Sequence, residues 1–218
     1  MAEADKKEAE VDMPGKIKAF AEGICRLKNA SLPRPFRRMP PLSDVQTLPQ
    51  LWLRVFGQVD LSQPFLVAES PAKRFHYTYK RLWAEAHCLA SFLREHHPAD
   101  GFAVMALAEN TSAVAVLEFG AQLAGGTMLV LSAATEAEDL DAWLRAEAPP
   151  VAFCSAYRLY QAHRECWDAY VARGGLLLCL TAPEDQLAAS DRLVTYEAAL
   201  EQGKELWRPH RGAITRAA

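Results

Sequence analysis

The sequence predicts an α/β protein: a mostly parallel sheet with helices on both faces, preceded by an extended and helical N-terminal arm. Continuous apolar runs of strand length recur at Phe102–Leu107, Thr127–Leu131, Val151–Cys154 and Leu176–Leu180. Longer segments with apolar side chains at helical spacing separate these runs. Glycine or proline pairs, at Gly125-Gly126, Pro149-Pro150 and Gly174-Gly175, mark the changes of period. Strands apolar throughout are buried on both faces, and helices between them serve as crossovers, which is the pattern of a parallel sheet.

The elements follow in order. The leader MAEADKKEAEVD is charged and lacks large apolar groups, so it has nothing to bury. From Pro14 the charge turns positive, with Lys16, Lys18, Arg26, Lys28, Arg34, Arg37 and Arg38 opposed only by Glu22. Within that run Ile17, Phe20, Ala21, Ile24 and Leu27 lie at helical spacing, predicting a short basic amphipathic helix. Prolines at 33, 35, 40 and 41 end it and require extended backbone. Residues 1–43 are therefore read as an arm, 44–207 as an α/β domain and 208–218 as an aperiodic tail.

The domain opens with Thr47 as an N-cap for a helix whose face is Leu48, Leu51, Trp52, Val55 and Phe56. Phe65–Ala68 and Phe75–Tyr77, joined by a turn, predict a hairpin. Tyr79–His96 is a long amphipathic helix, with Leu82, Trp83, Ala86, Leu89, Ala90 and Leu93 inward. Asn110-Thr111-Ser112 offers a cap for a helix over Val114–Leu123, and helices over Glu136–Glu147 and Tyr157–Ala172 complete the alternation.

Composition narrows the function. A chain of 218 residues, 50% hydrophobic and 23% charged, builds one good core or one domain with a docking extension. A net charge of -3 creates no field that would draw the molecule to nucleic acid. The arm has only Phe20 and Phe36 among its basic residues, too few aromatics for a single-strand stacking surface. Apolar runs are strand-length, so no membrane span is predicted. The five cysteines, Cys25, Cys88, Cys154, Cys166 and Cys179, form no CxxC pair, and three sit in apolar stretches. That points to a reducing, intracellular compartment and to no disulfide frame.

In this order the segments TLPQLWLRVFGQV, QPFLVAES, YTYKRLWAEAHCLASFL, FAVMALAEN, TSAVAVLEFGAQLAGGTMLVL, TEAEDLDAWL and RLVTYEAALEQG resemble the N-terminal part of the adenylate-forming superfamily of acyl-CoA synthetases, luciferases and peptide-synthetase adenylation domains. The resemblance covers Thr47 to Gly203. It implies an enzyme fold that holds ATP on a Ser-, Thr- and Gly-rich loop ending in lysine, with adenine, ribose and catalytic-lysine motifs further on. The sequence ends at RGAITRAA, before those motifs, so the resemblance assigns no catalytic or cofactor-binding residue here. Ser132 and Ala133 stand where the family usually has proline and asparagine, which fits either drift from the family's requirements or neutral variation.

Other constellations have bland readings. Gly125-Gly126 follows a helix and enters a strand, the reverse of a phosphate cradle, and reads as a helix stop. His163 and Cys166 form half of a metal site at best, without a second pair of ligands. His96-His97 suits a helix C-terminus, and Glu136, Glu138, Asp139 and Asp141 suit a helix start. No GxSxG or other nucleophile pattern occurs. No metal, cofactor or catalytic residue is expected.

The expectation is a degenerate ligase fragment, a pseudoenzyme serving as an accessory subunit of a larger protein complex. It would dock through the arm and exposed sheet or helix surface. The alternative is a split acyl-activating ligase completed by another chain. The arm has three readings: a solvated tail, a docking segment able also to touch anionic lipid, or a targeting helix that leans the localisation toward the mitochondrion.

Overall fold

The computed structural model describes residues 45–70, 73–99, 101–180 and 190–214. The arm's predicted helix and proline-rich stretch lie outside these residues, as do residues 71 and 72 of the predicted turn between the hairpin strands. The chain divides at Leu61/Ser62 into two compact units.

In the first unit, helix α1 spans Leu48–Phe56. Thr47 caps it as the sequence predicts: its hydroxyl accepts from the Gln50 N–H at 3.4 Å, and Gln50 Oε1 accepts from the Thr47 N–H at 3.2 Å. This reciprocal pair satisfies two otherwise orphaned donors. Val45 and Leu51 are buried together, with Leu48, Trp52 and Val55 packed on them.

The second unit begins with a hairpin of β1 (Pro64–Ser70) and β2 (Lys73–Thr78), paired antiparallel. Helix α2 (Tyr79–His96) follows, capped by the Thr78 hydroxyl accepting from Arg81 N–H at 3.2 Å. Then come β3 (Ala103–Ala108), α3 (Ser112–Leu123), β4 (Thr127–Ser132), α4 (Ala137–Ala146) and β5 (Val151–Cys154). Helices α5 (Tyr157–Ala162) and α6 (Arg164–Ala172), β6 (Leu176–Cys179), β7 (Leu193–Thr195) and α7 (Tyr196–Ile214) complete it.

The main sheet has the order β4-β3-β5-β6-β7, with every neighbouring pair parallel. All four predicted strands are present and adjacent. Two of them, β5 and β6, are buried at every position, which explains their unbroken apolar sequences. Alternate residues serve opposite faces. Met105, Leu107, Ala152, Cys154, Leu177 and Cys179 join Leu140 and Leu144 of α4, Leu159 and Tyr160 of α5, and Trp167 and Tyr170 of α6 in one cluster. Val104, Ala106, Phe153 and Leu178, also fully buried, point to the other face. There α3 packs on β3 and β4, α7 packs on β6 and β7, and α2 lies against both helices.

Two differences from the sequence expectation stand out. The helix predicted over Tyr157–Ala172 is two helices, broken at His163, whose backbone leaves the helical region at φ -119° and ψ 26°. The segment after Trp207, predicted to lack regular structure, continues as helix to Ile214.

The hairpin docks by edge-on ring contacts from Phe65 to Tyr79 at 5.2 Å and to Phe119 at 5.8 Å. A polar cluster around the buried Tyr77 secures its second strand. The Tyr77 hydroxyl donates to the Glu85 carboxylate, Arg81 Nε pairs with Glu85 at 2.7 Å, and the Arg81 guanidinium lies 4.6 Å over the Tyr77 ring. Burial first, and then the neighbouring Glu85 carboxylate, holds the Tyr77 phenol protonated well above its ordinary range.

Candidate functional site

In an open α/β sheet, ligands bind beyond the carboxyl ends of the strands where the strand order reverses. Here β4 lies on one side of β3 and β5 on the other, so the reversal falls between β3 and β5. Two turns meet at that point: Glu109–Thr111 after β3, and Ser155-Ala156 after β5.

The turns are locked to each other. Ser155 is 3% exposed, and its Oγ accepts the Glu109 N–H at 2.7 Å. The Ser155 N–H donates to Leu107 O at 3.2 Å, extending the β3–β5 ladder past its last paired residues. Above this, the Arg158 guanidinium from the first turn of α5 pairs with the Glu109 carboxylate. The Arg158 side chain is 73% exposed and that of Glu109 32%, so the pair lies at the surface beside the two turns. On the same helix Gln161 Nε2 donates to the Tyr157 hydroxyl at 2.6 Å, and the Tyr157 and Tyr160 rings stack with centroids 6.4 Å apart.

This rim is poorly suited to phosphate. Neither turn contains glycine, so neither lets backbone N–H groups close on an anion as a phosphate loop does. The guanidinium at the crevice is neutralised by a carboxylate of the same chain. That carboxylate stands just before the N-terminus of α3, where an incoming phosphate would meet like charge. Thr111 occupies the N-cap of α3 as expected, but its hydroxyl makes no capping bond.

The residues weighed from the sequence are dispersed. Gly125 ends α3 with φ 85°, in the left-handed region that glycine adopts freely, and it lies at the opposite end of the sheet from the rim. His163 is buried at the α5–α6 break, while Cys166 Sγ donates to Ala137 O at 3.4 Å. Among the described residues no group of three His, Cys, Asp or Glu side chains is placed to hold a metal ion. His97 packs against Phe102 at the other end of the sheet, with ring centroids 5.0 Å apart. Asp141 pairs with Arg145 at 2.6 Å along α4. Cys154 and Cys179 are register partners on β5 and β6. Desolvation holds both thiols protonated, Cys154 pushed up to about 11, so neither is a ready nucleophile. The residues that shape the rim, Glu109, Ser155 and Arg158, carry no motif. Their one signal is position, immediately after predicted parallel strands.

The sequence profile of the AMP-binding enzyme family matches residues 59–205. The chain belongs to that family. None of the curated proteins matches it. Solved structures share the fold. The adenylation domain of a carboxylate reductase from Mycobacterium chelonae is 15% identical with a TM-score of 0.62, over 86% of this chain and 35% of that one. The adenylation–carrier didomain of a carboxylic acid reductase from Segniliparus rugosus, in complex with AMP, is 19% identical with a TM-score of 0.56, over 84% and 31%. A benzoate CoA ligase from Burkholderia xenovorans is 17% identical with a TM-score of 0.53, over 69% and 28%. The chain thus spans about a third of the length of these AMP-binding relatives.

Proposed function

We propose that this AMP-binding family chain is a non-catalytic accessory subunit of a larger protein assembly, using an adenylate-forming fold as a binding module. One observation carries the reading. At the point where the strand order reverses, the turns are tied by Ser155 and Glu109, and the Arg158 guanidinium is already paired with the Glu109 carboxylate. A site that stabilises a transferring phosphoryl or adenylyl group needs unpaired donors aimed at the developing charge. Here the rim guanidinium already has its partner. The free Cys88, Cys154, Cys166 and Cys179 accord with a reducing intracellular compartment, and the arm's composition favours the mitochondrion over the cytoplasm.

The arm, residues 1–43, is the proposed docking element toward the other subunits. Deleting it should leave the thermal stability of the α/β domain nearly unchanged while the chain no longer fractionates with its assembly. Unchanged fractionation would refute the docking role.

A second reading is a split acyl-activating ligase whose remaining lobe comes from another chain. It is supported by the family match over residues 59–205, since the members of that family are AMP-binding enzymes. Nucleotide-dependent activation of a carboxylic acid by the assembly, lost when this chain is left out, would select it.

A further inference from the structure

Helices α5 and α6 meet at a residue that belongs to neither. At His163 the backbone turns out of the helical region, and the side chain makes no capping bond to α6. One α-type turn nevertheless spans residues 163–167, since the Trp167 N–H donates to His163 O at 3.1 Å. Side chains four apart on such a turn are neighbours, with Cβ atoms ~6 Å apart.

Both of these side chains bury a polar nitrogen. His163 is 8% exposed and Trp167 0%. Neither His163 Nδ1 nor Trp167 Nε1 has a hydrogen-bond partner among the described residues, and both atoms are shut off from the surface. Trp167 sits in the core cluster that holds Leu140, Leu144 and Leu159. A polar atom buried among such groups loses its solvation and gains nothing in return, so folded proteins rarely leave one unpaired. Two of them one turn apart call for a common partner.

The two atoms are chemically complementary. An indole Nε1–H is a donor only, whereas an imidazole with its proton on Nε2 presents Nδ1 as an acceptor. One water satisfies both, accepting from the indole and donating to the imidazole.

We infer that His163 and Trp167 hold a buried water between them, and that this water helps to set the break between α5 and α6. Water inserted into a helix is one of the few physical causes of a sharp kink. Helix ends leave carbonyls without intrahelical donors, and α5 ends at Ala162, so its last turn supplies an acceptor for the second hydrogen. That brings the water to three bonds, the usual number for a buried one. Water fits better than a metal ion, because among the described residues no three His, Cys, Asp or Glu side chains are placed to share one. α5 also carries Arg158 to Glu109, so the bridge anchors the other end of that helix. The inference does not depend on whether the chain is catalytic.

The test is an NMR measurement on the full chain, with the Trp167 indole N–H assigned by its disappearance in Trp167→Phe. Cross-relaxation between that N–H and water is expected, with the sign of a water held for at least the tumbling time of the protein. In His163→Leu the contact is expected to be lost while the far-UV circular dichroism is unchanged. Should that variant fail to fold, a crystal structure of the wild-type chain decides. Density for a water within about 3.2 Å of both nitrogens upholds the proposal, and its absence there overturns it. An indole N–H without contact to water in the wild-type chain also overturns it. So does a contact that persists undiminished in folded His163→Leu, since other groups would then be holding the water.

Discussion

The crossing of α2 with α7 and the C-terminal rim both join segments far apart in sequence, and they are built of opposite materials. At the crossing, backbone meets backbone. A Cβ on Gly203 would stand 1.8 Å from the carbonyl oxygen of Cys88, a separation no side chain could accept. At the rim, polar side chains meet across a turn: Ser155 accepts from Glu109, and Arg158 covers the Glu109 carboxylate. The first contact holds the fold that places this chain in the AMP-binding family. The second ties together the two turns that meet where the strand order reverses. Overall architecture and the joining of these turns thus rest on separate residues, and one can be altered without the other.

The sharpest way to break that separation is at the crossing. Gly203→Ala forces the two helices apart, and overpacking against rigid backbone belongs at or beyond the upper end of the usual range. Urea denaturation should show a loss of about 3 kcal/mol or more, or no cooperative transition. A loss below about 1 kcal/mol would mean that α7 is free to shift.

The buried thiols come next. Burial raises the Cys154 thiol from the ordinary 9.0 to about 11, and desolvation raises Cys179 in the same direction. Between those values the folded chain binds more protons than the unfolded one. The stabilising contribution is therefore fully present below about pH 9 and is lost as pH rises toward about 11. Thermal melts should be flat through neutrality and fall above pH 9, and Cys154→Val should make that fall shallower.

Rim substitutions should cost less. Ser155→Ala leaves the Glu109 N–H without its acceptor, for a loss of about 1 kcal/mol in the same denaturation experiment. Arg158→Ala removes an exposed ion pair and should change stability by less than about 0.5 kcal/mol. A rim variant as damaging as Gly203→Ala would erase the distinction between the two regions.

Much of this architecture is legible in sequence, because burial on both faces leaves an unmistakable trace. Val151–Cys154 and Leu176–Cys179 are apolar at every position, and each is a central strand. The break at His163 is not legible. Leu159, Tyr160, Trp167 and Tyr170 keep helical spacing through it, so the pattern predicts one continuous helix. The extension of α7 to Ile214 was hidden by Pro209, a residue that ordinarily argues against helix. The rim was hidden for a different reason. A glutamate ending one strand and a serine ending another look like ordinary loop residues until the order β4-β3-β5 makes their turns neighbours. Pairing across a sheet is long-range information, and local periodicity does not carry it.

The most direct test of the proposed non-catalytic role is ATP–pyrophosphate exchange by the purified full chain, assayed with aliphatic, aromatic and amino acids. The lock of Ser155, Glu109 and Arg158 predicts exchange at background for every acid. Exchange above background from the isolated chain would contradict the non-catalytic reading.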